Sequence, residues 1–401
     1  MQKRMRELLD SYVDDVKARA PIKSEAVERA FRRVERHRLL ERFLNYDHEN
    51  WEYDEVWIDP TEPGTEHLKT IYSDSALVTR VSGGLPSSST SQPTLVAQML
   101  ELLELAPGQR VLEIGAGTGY NAALMQEIVG DAGHVTTIDI QEDVVAQTRR
   151  LLRAAGYGRI EVIARDGALG EPENGPYDRI IATVGCPDIS PTWVDQLAEG
   201  GFMLVPLQHG AEGFNPVVRM WKEGERVLGR FVGFSGFMSI QGELAAEQML
   251  SFAEQKQATA RGRAEERPLP RPVDSWRDMG RHERWLKLLA LELFLGIADG
   301  RVCWAPAGGC GLAEQGRGAC LIGKDMEKVE VYGDPLLYDE LVEECMRWER
   351  LGCPGLEDWG LEFYMRDAGR RPEQGQNTWL IPRKFTIELA RLQKANGDSS
   401  C

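Results

Sequence analysis

The run Val111-Leu112-Glu113-Ile114-Gly115-Ala116-Gly117-Thr118-Gly119-Tyr120 constrains what this chain can fold into more than any other segment. An apolar stretch passes through an acid, three glycines alternate with other residues, and Asn121-Ala122-Ala123-Leu124-Met125 opens a helical pattern. The order is strand, tight turn, helix. Glycines at such a turn let the backbone reverse sharply and let a ligand lie against it without meeting a Cβ. Several kinds of nucleotide-binding loop share this plan. The G-x-G-x-G spacing fits neither G-x-G-x-x-G nor G-x-x-x-x-G-K-[ST], and no Lys-Ser or Lys-Thr follows, which argues against a bound triphosphate.

The next segments repeat the strand–helix alternation. His134-Val135-Thr136-Thr137-Ile138-Asp139 reads as a strand ending in a carboxylate, 20 residues beyond Gly119. An acid there can accept hydrogen bonds from both hydroxyls of a ribose. Gln141 to Ala155 predicts a helix with Val144, Val145, Thr148, Leu151 and Leu152 on one side. Further strands are expected at Ile160–Gly167, Tyr177–Val184 and Gly201–Pro206, the first with Asp166-Gly167 at its carboxyl end, where an adenine amino group can be met. Taken singly, Asp139 and Asp166 also read as turn or cap residues. Strands alternating with helices imply a parallel sheet covered on both faces, with its ligand at the carboxyl ends of the strands. Glu-x-Gly-x-Gly-x-Gly in this setting resembles the S-adenosylmethionine loop of Rossmann-like class I methyltransferases.

Upstream, Ser88-Ser89-Thr90-Ser91-Gln92-Pro93 leads a helical pattern into Leu105-Ala106-Pro107-Gly108 and the glycine loop. With Val27, Ala30-Phe31, Val34 and Glu35-Arg36-His37 between Ile22 and Phe43, Tyr72-Ser73-Asp74, and Thr183-Val184-Gly185-Cys186-Pro187, it is similar to the protein-L-isoaspartate O-methyltransferase family. The likeness runs from about residue 20 to 240, with an extra segment near 44 to 70. It implies cofactor contacts from Glu113, Gly115, Ala116, Gly117, Thr118, Gly119, Asp139, Ile140, Asp166, Gly167 and Thr183. It implies substrate contacts from His37, Ser89, Thr90, Ser91, Val184 and Gly185, with Ser91 as the catalytic residue and no metal. Ser91 reads equally as a helix N-cap ahead of Pro93. Ser89 stands where the family usually has Thr. The closing Phe-Val-Pro-Leu strand is altered to Phe231-Val232-Gly233-Phe234, or lies near Phe237-Met238.

The chemistry so implied needs no general base, because a carboxylate is ionised near neutrality and is itself the nucleophile. Ser91 then orients that carboxylate as a hydrogen-bond donor. A net charge of −16 speaks against nucleic acid as partner. Thr183-Val184-Gly185-Cys186-Pro187 also lacks the Asn-Pro-Pro-aromatic pattern of base-amino methyltransferases. The longest apolar stretch, Trp285 to Ile297, is too short to span a bilayer and holds Lys287 and Glu292. The first residues have no apolar signal core. No membrane partner and a cytoplasmic location are expected. Seven irregularly spaced cysteines suit reduced thiols. Cys303, Cys310 and Cys320 raise a zinc site only weakly. His134 reads as the start of a strand and His209 as an exposed loop residue.

Four regions are expected: an N-terminal helical substrate-side segment (1–80), the methyltransferase domain (81–244), a Pro- and Arg-rich linker (245–280) around Arg261, Arg263, Arg267, Pro268, Pro270, Arg271 and Pro272, and a small α+β domain (281–401). In the last, helices are expected over Trp285–Ile297 and Pro335–Leu351, with short strands at Val302–Ala305, Ala319–Ile322 and Val329–Tyr332. Its tryptophans Trp285, Trp304, Trp348, Trp359 and Trp379 read as core. Enlarged relatives of the isoaspartyl methyltransferases work in ribosomal-peptide biosynthesis, and this chain resembles them in architecture. The favoured expectation is therefore methylation of an aspartyl or isoaspartyl carboxylate on a dedicated peptide, leading through the ester to a succinimide. General isoaspartyl repair, a small-molecule carboxyl methyltransferase and a non-catalytic adenosylmethionine-binding scaffold are the alternatives.

Overall fold

The computed structural model describes residues 2–20, 22–47, 52–210, 215–246, 265–304, 309–323, 325–369 and 371–393. Two compact units are present. One comprises Met1–Val184, Ser190–Leu204 and Ile240–Glu243, the other Gly185–Ile189, Val205–Ser239 and Leu244–Cys401.

The first unit opens with helices α1 (Gln2–Arg19) and α2 (Glu25–Arg33). Ser24 starts α2 by accepting the Val27 amide on its Oγ at 3.4 Å, and the helix buries Val27, Ala30 and Phe31. The helical segment expected over 1–80 breaks after α2. Val34 turns extended and Arg36–Leu39 forms a 3₁₀ turn in which Arg36 is fully buried. Then come β1 (Arg42–Asp47), β2 (Glu52–Trp57), helix α3 (Thr65–Ile71), β3 (Leu77–Ser82) and β4 (Leu85–Thr90), forming an antiparallel sheet in the order β2-β1-β3-β4. The segment 1–80 is thus part helix and part sheet, not helical throughout.

Helix α4 (Pro93–Leu103) leads to β5 (Arg110–Ile114), α5 (Tyr120–Val129), β6 (His134–Asp139), α6 (Glu142–Ala154), β7 (Glu161–Ala164), β8 (Tyr177–Ala182), α7 (Pro191–Gln196) and β9 (Leu197–Pro206). The strands run parallel in the order β9-β8-β5-β6-β7. This is the Rossmann-like arrangement expected from the alternation. Helix α6 buries Val144, Val145, Thr148, Leu151 and Leu152, the stripe visible in the sequence. Central β5 buries Val111, Leu112, Glu113 and Ile114, as a strand covered on both faces must.

The second unit adds β10 (Asn215–Glu223), β11 (Arg226–Ser235), β12 (Glu265–Arg267), α8 (Arg271–Asp274), α9 (Arg281–Ala298), β13 (Val302–Trp304), β14 (Gly309–Glu314), β15 (Gly318–Gly323), β16 (Val329–Gly333), α10 (Leu336–Arg350), β17 (Trp359–Met365), β18 (Thr378–Pro382) and β19 (Thr386–Leu392). Two antiparallel sets result, β18-β19-β17-β11-β10 and β12-β16-β15-β14-β13. Helix α9 buries every residue from Leu288 to Ile297, and α10 buries Leu337, Leu341, Cys345 and Trp348 while leaving Leu336 exposed. Trp276, Trp348 and Trp359 are fully buried core, whereas Trp285 is exposed.

Several expectations need correction. The chain does pass from one compact unit to the other at residue 244, but Gly185–Ile189 and Val205–Ser239 also belong to the second unit, where β11 pairs with β17 (Val227↔Phe363, Leu228↔Glu362, Gly229↔Leu361). The described end of the 245–280 stretch is not linker. There β12 pairs with β16, Arg267 lies over the Tyr338 ring, and Pro272, Val273 and Trp276 are buried; Arg261 and Arg263 lie outside the described residues. His209 is buried, not exposed: its Nε2 is 2.9 Å from Glu388 Oε1 and 3.0 Å from an Arg383 nitrogen. Burial alone would raise the Glu388 carboxyl, but the Arg383 charge and the His209 contact hold it down to about 2. Cys186, Cys303, Cys310, Cys320 and Cys345 are free thiols, while Cys353 is in a disulfide, against the expectation of reduced thiols. Among the described residues no helix is long and apolar enough to cross a membrane.

A chain ended at Leu244 keeps β10 and β11 but loses β17, α9 and α10. We expect such a chain to be insoluble or to melt without a cooperative transition in circular dichroism. A melt as sharp as that of the full chain would contradict this division into units.

Candidate functional site

Parallel register brings the carboxyl ends of β5, β6, β7 and β8 to one edge. Ile114 stands opposite Ile138 and Ala182, and Asp139 opposite Ala164. The glycine loop leaves β5 there. Gly115, Gly117 and Gly119 have φ of +103°, +49° and +79°, conformations that L side chains rarely adopt. Space is as restrictive as φ. A Cβ on Gly117 would lie 3.0 Å from the Ser89 carbonyl oxygen, and one on Gly119 would lie 2.8 Å from Thr148 Cγ2. The loop is braced from α6, where Thr148 Oγ1 donates to the Gly117 carbonyl at 2.6 Å.

The two acids behind the loop differ. Asp139 is partly open and accepts the Gly117 amide at 3.2 Å and the Gln141 amide at 3.0 Å. Burial raises its carboxyl and these amides oppose the rise. Asp166 accepts the Ala168 amide at 2.9 Å on Oδ1 and the Glu243 amide at 2.8 Å on Oδ2. Gly242, with φ +84°, brings residues 240–243 so close that any Cβ there would strike the Asp166 carboxylate. Nothing local in the sequence ties residue 243 to residue 166, so this cover emerges only in the fold. Ile140 and Leu169, 39% and 45% exposed, present apolar side chains just beyond the two acids. Acid plus exposed apolar group at adjacent strand ends fits a ligand with a hydroxylated sugar and a planar ring.

Several expected contacts are absorbed by the protein itself. Glu113 is buried, and its carboxylate accepts Thr137 Oγ1 at 2.6 Å and Asn121 Nδ2 at 2.7 Å; burial pushes the carboxyl up to about 7. It shapes the loop from behind, out of a ligand's reach. Thr183 Oγ1 donates to the carbonyls of Ile114 and Gly115, 3.1 and 2.8 Å away. Gly167 is packed on Ile114, Val184 lies within 3.1 Å of where a Gly115 Cβ would be, and Gly185 faces the Asn215 and Gln208 side chains. Ala116 is buried and Thr118 half-exposed.

On the substrate side, Ser91 is half-exposed at the junction of β4 and α4. The helix N-cap is Gln92, so Ser91 does not cap α4. That task falls to Asp74, which accepts the Thr94 amide at 3.0 Å, Thr94 Oγ1 at 3.1 Å and Gln92 Nε2 at 3.0 Å. Ser89 offers its carbonyl to the glycine loop, and Thr90 is buried. Next door, Ser87 accepts Gln141 Nε2 on its carbonyl at 3.0 Å, a second tie between β4 and the cofactor side. His37 does not line a groove. It is buried with Nδ1 2.8 Å from the Tyr72 hydroxyl, and burial, with the Arg38 charge, pushes its imidazole down to about 4. Asp74 stands in the Tyr72-Ser73-Asp74 motif, but its capping role depends on a contact 20 residues away.

The raised Glu113 carboxyl has a stability consequence. A folded value of about 7 against an ordinary 4.5 means that its contribution is fully present below pH 4.5 and is lost as pH rises through 7. Glu113→Gln, which stays neutral, should melt progressively higher than the parent as pH rises from 5 to 8. A melting-temperature difference independent of pH would show that Glu113 is charged and satisfied in the fold.

Comparison with known proteins identifies the family. The family model described as "Protein-L-isoaspartate(D-aspartate) O-methyltransferase (PCMT)" matches residues 8–233. A protein-L-isoaspartate O-methyltransferase of Methanosarcina mazei is 39% identical over 157 residues, 37% of this chain and 65% of that protein. One from Thermococcus sibiricus is 38% identical over 198 residues, covering 49% of this chain and 75% of the relative. The chain spans less than two thirds of the Methanosarcina mazei protein, and 56% of a Thermotoga maritima relative. A solved structure titled protein-L-isoaspartate O-methyltransferase superposes with a TM-score of 0.51 at 25% identity, covering 90% of this chain and 96% of that one. With a family-model match over more than half its length, this chain belongs to the protein-L-isoaspartate(D-aspartate) O-methyltransferase family.

Proposed function

We propose that this chain is an S-adenosylmethionine-dependent carboxyl O-methyltransferase acting on aspartyl or isoaspartyl groups of a peptide. The observation that carries this reading is the approach of the Ser89 carbonyl to Gly117, which sets the Ser91 segment beside the glycine loop. S-adenosylmethionine, when bound, supplies an electrophilic methyl group. Asp139 would accept hydrogen bonds from its ribose hydroxyls, Ile140 would offer an apolar surface to its ring, and Asp166 would meet the adenine amine with the lone pairs that its two amide donors leave. Ser91 Oγ makes no hydrogen bond among the described residues and is free to donate to the substrate carboxylate. That carboxylate is already ionised near neutrality, so positioning in line with the methyl group is the main task, worth about 7–11 kcal/mol. The product ester is then attacked by the adjacent backbone amide of the peptide. Methanol leaves, and the resulting succinimide hydrolyses to aspartate or isoaspartate.

We further favour a dedicated ribosomally made peptide as substrate, supported by the second unit, which adds mass that a permissive repair enzyme does not need. One observation favours general repair instead: the solved isoaspartyl methyltransferase aligns with 90% of this chain, second unit included in large part.

Incubation with labelled S-adenosylmethionine and a panel of isoaspartyl peptides separates the two. General repair predicts base-labile label on most of the panel, and a dedicated enzyme predicts label only on its own peptide. In either case Ser91→Ala should lower kcat while leaving adenosylhomocysteine affinity unchanged by calorimetry. Full turnover in that variant would remove Ser91 from the mechanism.

A further inference from the structure

Behind Ser91 lies a fully buried guanidinium. Arg36 is 0% exposed. Its acceptors are backbone carbonyls: Ile71 at 2.6 Å, Ser73 at 3.4 Å, Ser75 at 3.0 Å, Thr90 at 3.5 Å and Ser91 at 2.9 Å. The guanidinium carbon also sits 5.7 Å from the Tyr120 ring centroid, on the first residue of α5 after the glycine loop. Arg36 Nε has no hydrogen-bond partner among the described residues. Burying a cation against neutral carbonyls is costly unless every contact is well made. A pure fold staple would be made more cheaply by an apolar side chain of similar volume. The expense is concentrated where the two halves of the site meet.

We infer that Arg36 is a positioning residue for the methyl-transfer site: it holds the Thr90–Ser91 backbone so that the Ser91 hydroxyl faces the substrate carboxylate. Two grips act on this turn from opposite sides. Arg36 takes the carbonyls of residues 90 and 91, and Asp74 takes the Gln92 side chain and the Thr94 amide and hydroxyl. The loop that carries Asp74 is itself tied to Arg36 through Ile71, Ser73 and Ser75. One guanidinium therefore orders both grips, while the Ser91 hydroxyl at their centre stays unengaged. A planar fork with five N–H donors can serve diverging carbonyls at once; an ammonium is a point charge on a flexible stem and cannot hold both groups.

The inference rests on the proposed methyltransferase reading, and the test keeps the two apart. Arg36→Lys, in the full chain, is compared with the parent for kcat on an accepted peptide, adenosylhomocysteine affinity, melting temperature and amide hydrogen exchange. A displacement of about 1 Å at a reacting group can cost about 100-fold, so a kcat loss of about that size is expected, with cofactor affinity unchanged. Amide exchange should quicken over residues 91–94 and stay as it was in the glycine loop. Parental kcat, or kcat and cofactor affinity falling together with a general loss of protection, would overturn the positioning role. If the parent methylates no peptide carboxylate, the functional reading fails on its own. Exchange then decides for Arg36, and unchanged protection over 91–94 overturns it. Arg36→Met, which keeps the volume and drops the donors, should act more strongly than Arg36→Lys. The reverse order would contradict a role that depends on those hydrogen bonds.

Discussion

The site depends on one close approach between two pieces of backbone. Where β4 ends, the Ser89 carbonyl comes to 3.0 Å from the position a Cβ would take on Gly117. A side chain at this position would meet both that tight contact and a φ of +49°, which L residues rarely adopt, so glycine is strongly favoured there. The approach sets the segment that bears Ser91 against the loop that opens α5, and other contacts reinforce it: Gln141 holds the Ser87 carbonyl, and Thr148 holds the Gly117 carbonyl. The antiparallel β3–β4 hairpin is thereby joined to the parallel sheet at its ligand edge. Arg80 at the hairpin adds an ion pair to Asp143 at the start of α6 and a hydrogen bond to Gln147 at 3.0 Å.

Local pattern controls the part of this fold that is legible in the sequence. The stripe on α6 follows from 3.6-residue periodicity, and β6 ends at Asp139 because the apolar run ends there. The glycine loop announces itself by composition. The roles of Arg36, Asp74 and Gly242 are not legible, since each acts on residues distant in sequence: Arg36 on residues 71–91, Asp74 on Thr94, and Gly242 on Asp166. The burial of His37 and His209 is hidden for the same reason. Each histidine gains a polar partner, Tyr72 or Glu388, that only tertiary packing supplies. Glu113 reads as a ligand-facing acid by position in its motif, yet the fold closes it off with Thr137 and Asn121.

The second unit shows how a boundary drawn from composition can miss one drawn from pairing. Pro and Arg near residues 267–272 suggest a tether, but β12 and Trp276 are integrated into a sheet and a tryptophan core. Strands β10 and β11 precede that stretch in sequence and still group with the strands beyond it, because β11 is completed by β17. Their composition matches the end of the methyltransferase pattern, so only long-range pairing reveals the allegiance. The unit also spends stability on buried charge at Glu388 and Arg383, a pair whose carboxylate keeps its charge through the Arg383 and His209 contacts.

The proposed function requires that one edge of the parallel sheet hold an adenosyl ligand with its sulfur turned toward Ser91. A crystal structure of the full chain with adenosylhomocysteine tests it most directly. Such a structure should show ribose hydroxyls on the Asp139 carboxylate, the adenine ring against Ile140, the amino-acid tail along the glycine loop, and the sulfur facing the Ser91 hydroxyl. A ligand bound away from Asp139, or with its sulfur turned away from Ser91, would contradict it.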